Sequence, residues 1–134
     1  MNWVTQTAFK PPLVAIGVKT DSGAYATLRK AGHFALNMLG KGQQGAAFAF
    51  FKPAKLEGDK ISGEPFKAGT TGSPLLINAV AAVECKLAQV VEMGDHHIVV
   101  GEVVDAMVHK APDGRPDAAI LEMKDLGATV FYGG

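Results

Sequence analysis

The sequence predicts a mainly β fold, a β-barrel of short strands with short helices covering its openings. Three observations carry that reading. Runs of strand length, either apolar or alternating, recur along the chain and are closed off by glycine or proline. Two of them, residues 83–93 and 96–107, are separated only by Gly94-Asp95, a hairpin signature. Helical spacing appears in just two short stretches.

The elements follow in order. Residues 3–9 alternate Trp3, Thr5, Thr7 and Phe9 with smaller side chains and read as a strand, stopped by Lys10-Pro11-Pro12. Residues 13–18 form a nearly continuous apolar run, as in a strand buried on both faces. Thr20-Asp21-Ser22-Gly23 gathers residues that cap helices, and Ala24, Leu28 and Ala31 then recur at helical spacing before Gly32. A helix is predicted over 23–31. Residues 33–39 return to strand until Gly40-Lys41-Gly42, and residues 43–51 read as a second helix ended by Pro53. No period fits residues 55–74, which read as a long connection with a covering or functional role.

In the first hairpin arm Val83, Cys85 and Leu87 alternate with Glu84, Lys86 and Ala88. A two-residue turn with Gly94 at its first central position joins the arms. The alternation loses phase near Gln89-Val90 and Gly101 interrupts the second arm, which predicts a bulge. Residues 111–116 are a turn-rich loop, and residues 119–123 and 129–132 each add a short strand. Neither a repeat nor a linker divides the chain, so residues 1–134 form one domain.

Composition narrows the function. Thirteen basic and thirteen acidic side chains cancel, leaving no electrostatic footprint for nucleic acid or an anionic membrane. No apolar stretch is long enough for a membrane helix, no secretory signal opens the chain, and the lone Cys85 forbids an intrachain disulfide. A cytoplasmic protein is expected. Sixteen glycines fit many tight turns or a backbone that approaches a ligand.

Most site chemistries come up short. One cysteine supplies no zinc cluster, and adjacent His96 and His97 face opposite sides of a strand, so no metal site is expected. No Gly-x-Ser-x-Gly elbow, Walker loop or Rossmann glycine fingerprint occurs. What remains suits a flat, phosphorylated ligand. Thr20, Asp21 and Ser22 stand at a helix start, where backbone N–H groups favour an anion, although from these residues alone plain helix capping is the better explanation. Asp21 itself would repel a phosphate. His96, directly after the hairpin turn, is the candidate proton relay or cofactor contact, and also fits a solvated turn residue. Cys85 reads as a buried small hydrophobe and not as a nucleophile.

In combination these segments resemble the flavin reductase-like family with its FMN-binding split β-barrel. The matching stretches are Asn2-Trp3-Val4-Thr5-Gln6, Phe9 with Pro11-Pro12-Leu13-Val14-Ala15, and 32–39 with Gly32-His33-Phe34-Ala35-Leu36-Asn37-Met38-Leu39. Gln43 with Phe50-Phe51, Gly94-Asp95-His96 with Val100-Gly101-Glu102-Val103, and Tyr132-Gly133-Gly134 continue in family order. The resemblance implies an NAD(P)H:flavin oxidoreductase, a homodimer with FMN near the subunit interface, reduced by NADH or NADPH. It implies that Trp3, Val4, Thr5 and Gln6 line the isoalloxazine edge. Thr20, Asp21, Ser22 and Tyr25 would lie at the ribityl-phosphate end. Asn37, Met38 and Leu39 would form the pocket wall with Gln43 nearby, and His96 would sit by the cofactor or the nicotinamide approach.

Two departures stand out. Many relatives carry a threonine-histidine pair at the first helix start, where this chain has Gly-Ala-Tyr. Relatives also extend well ahead of the Asn2–Gln6 stretch with a first strand, whereas here Met1 directly precedes it, so a dimer that covers an open strand edge is expected. Two alternatives accompany the reductase reading: an FMN-binding electron carrier reduced by a protein donor, and a truncated, non-catalytic dimeric relative. The expected partner beyond the nicotinamide is an oxygenase or an electron-transfer protein.

Overall fold

The computed structural model describes residues 1–133. It is mainly β, as predicted, and its strands pair antiparallel and are split between two sheets. The larger sheet has five strands in the order β1-β2-β9-β8-β3, namely Val4–Phe9, Pro12–Lys19, His96–Val108, Ala81–Val91 and His33–Met38. The smaller runs β4-β5-β6-β7, from Leu56–Glu57, Lys60–Ile61, Glu64–Ala68 and Pro74–Leu76. Among the described residues, no helix is long and apolar enough to cross a membrane.

Helix α1, Gly23–Ala31, has the predicted bounds because its punctuation is explicit. The Ser22 Oγ accepts from the Tyr25 N–H at 3.1 Å, satisfying an amide that has no partner inside the helix. At the other end Gly32 adopts φ 73°, a left-handed conformation costly for other residues, and its N–H donates to the Leu28 carbonyl. Leu28 then drops onto Ile16 and Val18 of β2 and Val99 of β9, all at most 7% exposed, with Tyr25, Phe34, Leu36, Leu87 and Val90 packed around them. Burying each of those four aliphatic side chains contributes roughly 1.5–3 kcal/mol.

Gly101 shows why the long hairpin needs a glycine mid-strand. A Cβ there would lie 2.5 Å from the Phe34 ring and 2.9 Å from the Cys85 Cβ. The predicted bulge is beside it, where the β8–β9 register shifts between Leu87 and Gln89. A second shift between Glu84 and Cys85, across from Val104, has no sequence signal.

Four expectations are corrected. The hairpin turn is not a two-residue turn: the last β8–β9 pair is Val91 with Ile98, and His96 and His97 pair instead with Lys19 and Val18 of β2. Residues 55–74 are not structureless but carry β4, β5, β6 and the start of β7, strands too short to show a period. The second helix, α2, spans only Gln44–Ala49, since Phe50 already closes it by donating to Ala46 and Ala47. Residues 119–123 and 129–132 form no strands. A short helix α3, Pro116–Ala119, a single bridge from Ile120 to Gly40 and a 3-10 turn at Met123–Leu126 take their place. Proline at the first helical position and a reciprocal Glu122–Asp125 capping box explain those two turns.

Candidate functional site

Where β2 ends and β9 begins, the chain gathers an aromatic and ionisable cluster. Trp3 leads into β1, and its carbonyl accepts from the Gly17 N–H at 3.0 Å. Its ring rests on Gly17, where an added Cβ would stand 3.0 Å from the indole. His96 pairs with Lys19 across the ladder, and its ring centroid lies 4.7 Å from that of Trp3. Tyr132 closes the cluster, 5.1 Å from Trp3 and 5.5 Å from His96 between centroids.

Hydrogen bonding fixes the imidazole. The Asp95 carboxylate only accepts, so His96 Nδ1–H donates to Asp95 Oδ1 at 2.9 Å. In the neutral ring Nε2 is then the acceptor, and the Tyr132 hydroxyl donates to it at 2.6 Å. That bond from His96 is the main reason the Asp95 carboxyl lies below its ordinary range. Thr20 holds the turn in place, donating from both N–H and Oγ1 to the Asp95 carbonyl at 3.0 and 3.2 Å. An oriented imidazole beside an indole can hold a flat conjugated ring by stacking and by a directed hydrogen bond.

The other predicted residues divide. Val4, Thr5 and Gln6 lie exposed on β1, which pairs with β2 on one side and forms the free edge of the sheet. Backbone groups on its outer side are therefore open to a ligand. Ser22 is used as a cap, and its hydroxyl donates to the Lys19 carbonyl at 2.7 Å. Asp21 pairs with Lys19 at the surface. Tyr25 turns inward: Arg29 donates to its oxygen, and its hydroxyl shares a hydrogen bond with His97 Nδ1 at 2.6 Å. His96 and His97 thus engage different partners, as the strand alternation predicts.

Asn37 and Gln43 are structural clamps. The Asn37 amide donates to the Pro74 carbonyl and accepts from Leu76 N–H, tying β3 to β7. Gln43 accepts from Gly40 N–H and donates to the Asn78 carbonyl. Met38 and Leu39 are half-buried beside them, where Met38 accepts from Val80 N–H and Leu39 from Leu121 N–H through their carbonyls. The structure joins Trp3, Thr20 and His96 in one cluster and gives Asn37 and Gln43 partners outside it. Asp95 and Tyr132 were missed as site residues. The Asp-His adjacency was a usable signal for the first, whereas nothing local marks a tyrosine 36 residues from its histidine. Tyr132 and Gly133 of the closing segment are described, and Gly134 lies outside the described residues.

The flavin reductase like domain profile matches residues 1–125. The chain belongs to the flavin reductase-like family. It is 36% identical to a flavin reductase of Pseudomonas putida over 117 residues, covering 87% of this chain and 64% of that protein. It is 32% identical over 96 residues to the FMN reductase (NADH) RutF of Pseudomonas syringae pv. syringae, covering 72% and 53%. Its fold is similar to that of the NADH:FAD oxidoreductase SgcE6 of Streptomyces globisporus, with TM-score 0.70, 33% identity, and 80% and 64% of the two chains covered. The chain thus spans between about half and two thirds of the length of these family members.

Two parts of the site fit a flavin in this family member. The free β1 edge beside Trp3 and His96 suits the ring system, because it offers backbone donors, acceptors and an aromatic face. At the start of α1 the Thr20 and Ser22 hydroxyls are committed to internal partners, so a phosphate there would be met by backbone amides.

Proposed function

We propose that this chain is an NAD(P)H-dependent flavin reductase that uses FMN. The observation that carries the reading is the oriented His96 packed at a tilt against Trp3 at the free edge of β1. The chemistry the flavin supplies is acceptance of a hydride from NADH or NADPH. Trp3 to Gln6 would hold the ring edge, chiefly through the β1 backbone, and the first amides of α1 the phosphate. His96, held by Asp95, would present Nε2 as a directed polar contact to the cofactor or the nicotinamide once the Tyr132 hydroxyl that now donates to it is displaced. Reactions of this type need orientation and exclusion of water more than a side-chain acid and base.

The assembly is proposed to be a homodimer, cytoplasmic, with FMN near the interface. Its support is β1 itself, an edge strand with Val4 43% and Phe9 84% exposed. An oxygenase is the proposed recipient, since reduced flavin is consumed by oxygen unless a partner takes it.

The purified protein mixed with FMN or FAD should give a bound-flavin absorbance band near about 450 nm, and NADH or NADPH should bleach it anaerobically. No bound flavin after addition of either cofactor removes the reading. Bleaching only by a reduced protein donor turns it into an electron carrier. His96→Ala should weaken FMN binding or raise the nicotinamide KM about tenfold, the value of one lost polar contact. Unchanged constants would take His96 out of the site.

A further inference from the structure

Tyr132 is given no role in the reductase reading, yet it contacts both residues at the centre of that site. Its hydroxyl caps His96 Nε2 at 2.6 Å, the one imidazole nitrogen that Asp95 leaves available. Its ring lies 5.1 Å from Trp3, tilted by 50°, and meets His96 edge-on at 86°. The three rings touch one another, with no slot between them. A flat ligand that stacks on Trp3 and bonds to His96 Nε2 must therefore take the position of the phenol.

We propose that Tyr132 is a gate, a phenol standing in for a flat heterocyclic ring on Trp3 and His96, which enters when Tyr132 swings out. The inference rests on the flavin-binding reading of this site. The backbone around Tyr132 is suited to a side-chain movement of this kind. On one side the Gly133 N–H donates to Asn2 Oδ1 at 3.2 Å, and a Cβ on Gly133 would lie 3.4 Å from the Phe51 ring and 3.6 Å from the Met123 sulfur. On the other the Val130 N–H closes a turn onto the Gly127 carbonyl. Between these anchors the Tyr132 side chain is still 39% exposed, so solvent lies on its outer side and rotation about its χ angles meets open space there. A gate that is open in one molecule in ten weakens apparent affinity about tenfold.

The heterocycle is either the isoalloxazine or the nicotinamide, and separate titrations with FMN and NADH distinguish them. Trp3 is the chain's one tryptophan, so its emission reports entry of a ring directly. Tyr132→Ala should bind whichever ring is gated several-fold to about tenfold more tightly than the unaltered protein. Tyr132→Phe, which keeps the ring and loses the latch, should fall between the two. In reduction assays the KM for that ligand should drop. Wild type that binds FMN while neither variant binds FMN or NADH more tightly overturns the gate and leaves the flavin reading standing. Weaker binding by Tyr132→Phe, with its fold intact by circular dichroism, also overturns it and makes Tyr132 a ligand contact. No FMN binding and no change in Trp3 emission in all three proteins removes the flavin reading and the gate together. Binding by Tyr132→Ala alone supports both.

Discussion

Glu84 is 1% exposed, yet it is a carboxylate in a β-rich core, and its surroundings explain how it is kept. Burial acts to raise its pKa, but donations from the Thr71 hydroxyl at 2.6 Å and from the Thr71 and Thr70 amides at 2.8 and 2.9 Å outweigh that, and the group lies below its ordinary value. The carboxylate fills the space where Gly69 would carry a Cβ, so the 69–73 turn is built around the charge. A carboxyl with a lowered folded pKa contributes stability that is full above the unfolded value, 4.5, and lost as pH falls through the folded one. Glu84→Gln should therefore cost about 2–3 kcal/mol at neutral pH, and the gap to wild type should narrow as urea titrations are taken below that value. A constant gap across the acid range would show that charge is not what holds the turn. Next to it, burial first and the Glu84 charge second push the Cys85 thiol up to about 11, which agrees with the reading of Cys85 as an inert hydrophobe. Sequence placed Cys85 correctly because a lone apolar-phase cysteine has few other uses. Glu84 gave no warning, since its position in the alternation is the one a solvent-facing residue would occupy, and the turn that covers it is 13 residues away.

At the scale of elements, legibility followed how much of each element's cause is local. Helix α1 was readable to the residue, because Ser22 and Gly32 act within one turn of its ends. The hairpin arms were readable from their β-branched runs, but the turn between them was not. His96 and His97 leave β8 to pair with β2, a choice that depends on a strand about 80 positions earlier in the chain. Strands of two residues such as β4 and β5 are set by neighbours, not by any period of their own. The same distinction applies to the proposed phosphate end. Ser22→Ala should remove the α1 cap and lower stability by about 1 kcal/mol, with Ser22→Asn restoring most of it. FMN affinity should stay unchanged in both, because the hydroxyl is already bonded to Lys19 and Tyr25. A loss of FMN affinity in Ser22→Ala without a loss of thermal stability would instead make that hydroxyl a phosphate donor.

For the whole molecule the two edges of the five-stranded sheet differ. On the β3 side, Asn37 bonds to Pro74 and Leu76 and brings β7 alongside, so that edge is covered from within the chain. On the β1 side no described strand follows, and Phe9 stands open. An unpaired edge with apolar side chains invites pairing with another chain, and a second copy is the partner always present at the same concentration. The proposed dimer with FMN near its interface would use this open β1 edge. Phe9→Lys adds a charge to the β1 edge, a common means by which edges are kept single. It should shift the protein from dimer toward monomer in sedimentation velocity, and it should weaken FMN binding as well, because Val4 to Gln6 lie on the same strand and Trp3 leads into it. A dimer that survives Phe9→Lys with its FMN affinity intact would move the interface away from β1. A monomer in the unaltered protein that still binds FMN would leave the Trp3–His96 face to act within one chain.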